Sequence, residues 1–175
     1  MVNTIRNNAG QQSGIAKFLN AAGSIAGACV GVYSGIFLLI PLALSAAVGW
    51  IGWKYFGPSR RAIVPSFSVQ AGHLLWLGLG MVLTGTAGAN LIDVAWLGGG
   101  LAWLVARPGR APLYFLAIYQ ALSLAVNAFA ISHAPWGTTN NKALVVHIIW
   151  RLMALGFMTA YFLASRKRDA EAVSA

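Results

Sequence analysis

Charged residues are scarce in this chain of 175 residues, since they make up only 9% of it while 58% of the residues are hydrophobic. Ordinary globular domains carry about 25% charged residues. A soluble fold with so few charges would leave most of its surface without polar cover. The composition therefore predicts that lipid, and not water, surrounds most of the chain.

Acidic residues are fewer still, with three Asp and Glu against 12 Lys and Arg. Two of the three, Asp169 and Glu171, lie in the polar C-terminal stretch, which leaves no carboxylate pair for acid–base catalysis. The sequence also lacks a Gly-x-Ser-x-Gly elbow, a His-Glu-x-x-His motif and a Walker loop. We therefore expect a protein that is not an enzyme and has no catalytic residues.

Cysteine is nearly absent, because Cys29 stands alone. An intrachain disulfide is excluded, and so is a metal site built from cysteines. The only histidines are His73, His133 and His147, and a bis-histidine haem needs two of them at the same membrane depth. We expect His73 toward the inner side and the other two toward the outer side, so that only His133 and His147 can meet. No metal or cofactor is expected, with haem or quinone binding as the alternative.

Long hydrophobic runs make up most of the sequence. We interpret five of them as membrane-spanning helices of an all-α polytopic bundle. The first is longer than a bilayer requires, which predicts a tilt or a bend at Pro41. The third is short and holds three consecutive glycines, so a re-entrant segment is its alternative. The expected bounds are 25–53, 66–86, 90–106, 112–132 and 143–165.

The two ends of the chain differ from this apolar middle. The first residues are polar and lack the order of a signal peptide, but apolar residues then recur at helical spacing up to Ala22. This pattern predicts a short amphipathic segment at the membrane surface. We therefore divide the chain into a polar tail with an interfacial helix at 1–22, a transmembrane bundle at 23–165 and a basic polar tail at 166–175.

Basic residues between the spans predict the orientation of the bundle. With five spans, eight Lys and Arg residues lie on one side, and only Arg6, Lys17 and Lys142 lie on the other. Because cytoplasmic loops are enriched in Lys and Arg, the N-terminus is expected outside and the C-terminus in the cytoplasm, in a bacterial inner membrane. The basic clusters thus serve topology, and nucleic acid is not expected as a partner.

Four glycines at four-residue spacing, Gly23, Gly27, Gly31 and Gly35, stand at the head of the first span. On one helix they form a strip without side chains, which allows close helix–helix approach. The strip predicts packing against a copy of the chain or another membrane protein, with a contact inside the bundle as the alternative. Gly78, Gly80 and Gly85 are likewise interpreted as packing positions in the second span.

Asp93 and Arg151 are the only charged residues inside the predicted spans. Charges in hydrocarbon are costly and tend to be paired, so we expect an Asp93–Arg151 ion pair in the outer half of the bundle. The pair can serve as a clip that fixes the register of two helices. A role in gating or proton relay is the alternative.

Further polar residues fall in the same outer half. Gln120, Ser123 and Asn127 share one face of the fourth span, and His147 shares a face with Arg151 on the fifth. A polar pocket under the external loop at 134–141 is expected, lined by Asp93, Asn127, His147, Arg151 and Thr84. Interhelical hydrogen bonds that only hold the bundle are the alternative. The predicted intramembrane polar cluster comprises Asp93, Gln120, Asn127, His147 and Arg151.

Three functional hypotheses follow from these features. The first is a non-catalytic structural subunit that assembles through the glycine strip into a larger membrane complex or a homo-oligomer. The second is a small transporter or channel for a neutral or anionic solute, with the polar cluster as its site. The third is a membrane anchor that binds haem or quinone through His133, His147 and Arg151.

Overall fold

The computed structural model describes residues 33, 35–85, 88 and 90–174, and the chain divides into the units Met1–Gly35 and Ile36–Ala175. The described residues of the second unit are mostly helical and contain no strand. Its helices are α1 (Ile36–Tyr55), α2 (Val64–Thr84), α3 (Asn90–Ala106), α4 (Arg110–His133) and α5 (Thr139–Ser174), with a 3-10 helix at Pro58–Ile63. The prediction of an all-α bundle is confirmed.

Proline and glycine mark the ends of α2. Pro65 lies in its first turn, where a backbone N–H would have no helical acceptor in any case. At the other end Gly85 has φ 66°, a left-handed conformation that stops the helix and that glycine adopts without steric cost. These two residues set the length of α2, and with it the depth of every side chain that the helix carries.

The helices α2 to α5 form a ring in chain order, because each packs on the next and α5 returns to α2. Helix α1 lies outside this ring, mainly against α2. Leucines at positions i, i+4 and i+7 of α3 face the core, as helical periodicity requires. The principal core side chains are Val69, Leu77, Leu97, Leu101, Leu104, Leu113, Leu116, Val146, Trp150 and Met158.

Four helices, α1, α2, α4 and α5, are long and apolar enough to cross a membrane. Helix α3 has 17 residues, a length of roughly 25 Å at the α-helical rise, somewhat short of a hydrocarbon core of about 30 Å. Large apolar side chains cover the outside of the bundle, such as Val82 with 79% and Phe129 with 71% of its surface exposed. Lipid is the solvent that such an exterior requires, so this is an integral membrane protein.

The prediction of one continuous helical span at 25–53 is wrong at Gly35. Helix α1 begins at Ile36, and Gly35 lies in a turn with φ 54°. A left-handed residue interrupts a helix, so Gly35 does not continue a straight glycine strip. Gly23, Gly27 and Gly31 lie outside the described residues, and their packing stays a prediction.

Close helix packing does occur, but between α1 and α2. A Cβ atom added to Gly72 would lie 2.7 Å from the backbone Cα of Ser45, and one added to Gly49 would lie 3.3 Å from Cβ of Ser68. Among the described residues nothing lies within 4 Å of such an atom at Gly78, Gly80 or Gly85, so their interpretation as packing positions is wrong for this part of the bundle. Small residues therefore bring α1 onto α2, and they do so nearer the middle of α2 than predicted.

Candidate binding cavity

Asp93 and Arg151 form the predicted ion pair. Arg151 on α5 donates from Nη2 to Oδ2 of Asp93, in the first turn of α3, over 3.3 Å. Tyr119 of α4 donates its hydroxyl hydrogen bond to the other carboxylate oxygen. Its ring also lies against the Arg151 guanidinium, with 5.2 Å between Cζ and the ring centroid. Three helices thus meet at one neutralised pair of charges.

A chain of hydrogen bonds continues from Arg151 into the bundle. Arg151 Nη1 donates to Oε1 of Gln120 over 3.1 Å, and Gln120 Nε2 donates to Oε1 of Gln70 over 3.2 Å. Gln70 Nε2 then donates to Oγ of Ser66 over 3.1 Å, close to the start of α2. Gln120 and Gln70 are fully buried. This polar column, Asp93–Arg151–Gln120–Gln70–Ser66, therefore extends from one end of the bundle nearly to the other.

The histidine prediction is wrong, because His147 meets His73 and not His133. Nε2 of His73 lies 2.7 Å from Nδ1 of His147, and one ring donates a hydrogen bond to the other. His133 lies exposed at the end of α4 and contacts Ser132 and the carbonyl of Phe129. His73 is roughly 13 Å along α2 from its start, and His147 is roughly 12 Å along α5 from its own, so the two antiparallel helices bring them to similar depth.

A cavity of about 580 Å³ lies above the ion pair. Residues of α3, α4 and α5 line it, and the exposed Asn90 and Asn140 stand at the helix ends nearest the loops. Its two exposed apolar walls, Ile92 and Val126, leave it open toward the lipid. The lining consists of Asn90, Ile92, Asp93, Ser123, Val126, Asn127, Asn140, Ala143, Leu144, His147 and Arg151.

Two hydrogen-bond donors of this lining have no acceptor among the described residues. They are Nδ2 of Asn127 and Nε of Arg151, and both atoms are buried. A buried donor without a partner costs on the order of 1–3 kcal/mol, and native structures contain few of them. Because both belong to side chains that line one cavity, a ligand with acceptor oxygens would satisfy them there.

The predicted polar pocket is largely present. Asp93, Asn127, His147 and Arg151 line the cavity as expected, and Ser123 of the same α4 face lines it as well. Gln120 lies beneath it as an acceptor for Arg151, while Thr84 is exposed and donates to a carbonyl of its own helix.

Sequence reasoning missed Gln70 and Tyr119, and also the place of His73. A signal for two of them was available on α2. Ser66, Gln70 and His73 are spaced i, i+4 and i+7, so they form one polar face on an otherwise apolar helix. Tyr119 carried no comparable signal, because a tyrosine in an apolar span is common at membrane depth.

The haem alternative does not fit the histidines as they are placed. A metal between two imidazoles needs its ligand nitrogens about 4 Å apart, given metal–nitrogen bonds of about 2 Å. The facing nitrogens of His73 and His147 are 2.7 Å apart and hydrogen-bonded. Over the described part of the chain, no group of three or more His, Cys, Asp or Glu side chains is placed to hold a metal ion.

Comparisons with known proteins add no family to this description. The chain matches no protein-family model, no curated protein and no solved structure.

Proposed function

We propose that this protein is a small membrane carrier that takes up a neutral or anionic solute in the cavity above the Asp93–Arg151 pair. The observation that carries the proposal is the pair of unsatisfied donors, Asn127 Nδ2 and Arg151 Nε, on the walls of one cavity. Binding sites of this kind combine apolar walls with a few convergent polar groups. A solute that offers carbonyl, carboxylate or phosphate oxygens would complete the hydrogen bonds that the protein leaves open.

The charges of the cavity favour this class of solute. Asp93 already neutralises Arg151, so the site has no spare carboxylate with which to attract a cation. Cation pathways are usually lined by acidic residues. An anion would compete with Asp93 for the guanidinium, whereas a neutral polar solute would add to the existing pair.

The polar column favours a carrier, which moves its solute across the membrane, over a receptor that only binds its ligand. A solute that crosses the bilayer needs polar partners along its route, since unpaired polar groups are costly in hydrocarbon. Below the cavity, the Gln120–Gln70 hydrogen bond closes the column between α2 and α4. We propose that this contact is the inner closure, which would separate when the solute moves on.

The experiment identifies small molecules that co-purify with the full-length protein in mild detergent, by mass spectrometry, and then measures their uptake into proteoliposomes. We expect Asn127→Ala and Arg151→Lys to lose the ligand and the uptake, because each removes one of the unsatisfied donors. Thr84→Val is the matched control at the same end of the bundle but outside the cavity, and it should retain both. A ligand retained equally by all variants would contradict the proposal.

A second candidate, the binding of a quinone headgroup, is favoured by the opening toward lipid. Ile92 and Val126 line the cavity and are also 67% and 66% exposed on the outside of the bundle. A lipid-soluble molecule can enter between them, and quinone carbonyls accept hydrogen bonds from both unsatisfied donors. A co-purified compound whose ultraviolet absorbance changes on chemical reduction, and which is not transported into vesicles, would select this candidate.

The remaining hypotheses concern location and assembly. We propose the bacterial inner membrane, with the N-terminus outside and the C-terminus in the cytoplasm, from the distribution of basic residues. Assembly through Gly23, Gly27 and Gly31 stays a separate hypothesis. If it is right, replacing Gly27 and Gly31 with Leu will reduce the recovery of oligomers or of partner proteins.

A further inference from the structure

Two contiguous apolar grooves lie side by side on the outside of the bundle, next to α2. The first is lined by α1, α2 and Val105 of α3, the second by α2 and α3, and each has a volume of about 440 Å³. Both are lined by Phe67, Ala71, Leu74 and Val105. These shared residues form the ridge between the two grooves.

The grooves end where basic residues cluster. Tyr55, the last residue of α1, lines the first groove, and the Lys54 ammonium lies 5.9 Å from its ring centroid. Ala106, the last residue of α3, lines the second groove and is followed directly by Arg107. Both basic residues are exposed, and none of the residues lining either groove is acidic.

Aromatic and further basic side chains surround the same end. The Lys54 ammonium also lies 5.6 Å from the ring centroid of Trp50, and the Arg61 guanidinium lies 5.3 Å from that of Trp53. Trp and Tyr concentrate at the level of lipid headgroups. The end of the grooves is therefore at the depth where the phosphate of a phospholipid lies.

We propose that this surface binds an anionic phospholipid, with one acyl chain in each groove and the headgroup phosphate between Lys54 and Arg107. Basic pockets between transmembrane helices select anionic headgroups on the cytoplasmic side. Two grooves with a common ridge suit the two acyl chains of one lipid. A docked helix would instead need one broad groove. The site is independent of the cavity above Asp93 and lies at the opposite end of the bundle.

The test uses native mass spectrometry of the full-length, delipidated protein with an equimolar mixture of phosphatidylglycerol and phosphatidylcholine. The wild type should retain phosphatidylglycerol preferentially. Lys54→Gln and Arg107→Gln should each lower that preference about fivefold, as expected for one basic residue near the headgroup. Lys142→Gln, a basic residue at the other end of the bundle, is the matched control and should not change it.

A second variant tests the grooves apart from the headgroup. Ala71→Phe places a large side chain on the shared ridge and should reduce the retention of both lipids while leaving their ratio unchanged. Equal retention of the two lipids by the wild type overturns the proposal, and so does a preference that survives the Lys54→Gln, Arg107→Gln double variant. The absence of any retained phospholipid, expected if another part of the chain or a second copy fills the grooves, also overturns it.

Discussion

Arg151 is a fully buried side chain, and among the described residues its charge is met by one carboxylate, that of Asp93. A buried charge is stable only when it is paired and hydrogen-bonded, and Tyr119 and Gln120 supply the remaining contacts. One Arg151 nitrogen, Nε, is still unsatisfied among the described residues. Arg151 thus holds three helices together and still keeps one donor, Nε, for which the described residues supply no acceptor.

The contribution of the Asp93–Arg151 pair to stability can be measured with a double-mutant cycle. Asp93→Asn or Arg151→Gln alone should lower the free energy of unfolding by about 2 kcal/mol, because each leaves a charge without its partner. We expect less than the roughly 3–5 kcal/mol typical of a fully buried pair, since the Asp93 side chain is 26% exposed. The double variant should cost less than the sum of the single changes. Strictly additive costs, measured by detergent-induced unfolding, would rule out the coupling.

Single residues show which parts of the site could be predicted. The Asp93–Arg151 pair could, because two lone charges in apolar spans have few other partners. The His73–His147 contact could not be predicted. The membrane depth of each histidine depends on where its helix begins, and the predicted starts at 66 and 143 differ from the observed ones by a few residues. Helix α2 begins at Val64 and α5 at Thr139, and these starts bring the two histidines level.

At the scale of the elements, the α1–α2 contact is the closest packing that the described helices show. Ser45, Gly49 and Gly52 of α1 meet Val64, Ser68 and Gly72 of α2. Such small residues allow close backbone approach in lipid, where dispersion contacts join helices in place of the hydrophobic effect. Trp150 of α5 donates to Ser45 over 3.4 Å, which ties the same point to the ring of helices.

This contact predicts opposite results for two glycines of one helix. Gly72→Ala should lower the free energy of unfolding by about 1–3 kcal/mol, because its Cβ would meet the Ser45 backbone, which cannot yield without moving α1. Gly80→Ala is the matched control, because its Cβ meets nothing within 4 Å. There we expect no loss, or a gain of up to about 1 kcal/mol from helix propensity. Thermal unfolding in detergent compares the two, and equal losses would refute the α1–α2 explanation.

Most of the helices could be predicted from the hydrophobic runs and from the polar, proline and glycine residues between them. Helix α3 has the predicted bounds, since polar Asn90 and the Arg107–Pro108 pair delimit its apolar run. The first span failed at Gly35, because hydropathy cannot distinguish a helical glycine from one in a turn. Ser45 and Gly49, four residues apart, carry a small-residue pattern of the same kind, and it packs α1 on α2.

At the scale of the whole molecule, α3 decides the topology, since it is the shortest helix and separates two pairs of longer ones. If α3 crosses, the loop at 134–138 and the 3-10 helix Pro58–Ile63 lie on opposite sides of the membrane. If it re-enters, they lie on the same side.

Single cysteines distinguish these arrangements in a Cys29→Ala background. Thr139→Cys, at the exposed start of α5, should react with a membrane-impermeant maleimide in intact cells, whereas Ala62→Cys should react only after permeabilisation. The physical reason is that Arg60 and Arg61, which directly precede Ala62, keep that loop in the cytoplasm. The inverse labelling would reverse the proposed orientation while leaving the crossing of α3 intact. Labelling of both from one side would show that α3 does not cross, because four remaining spans place the two positions together.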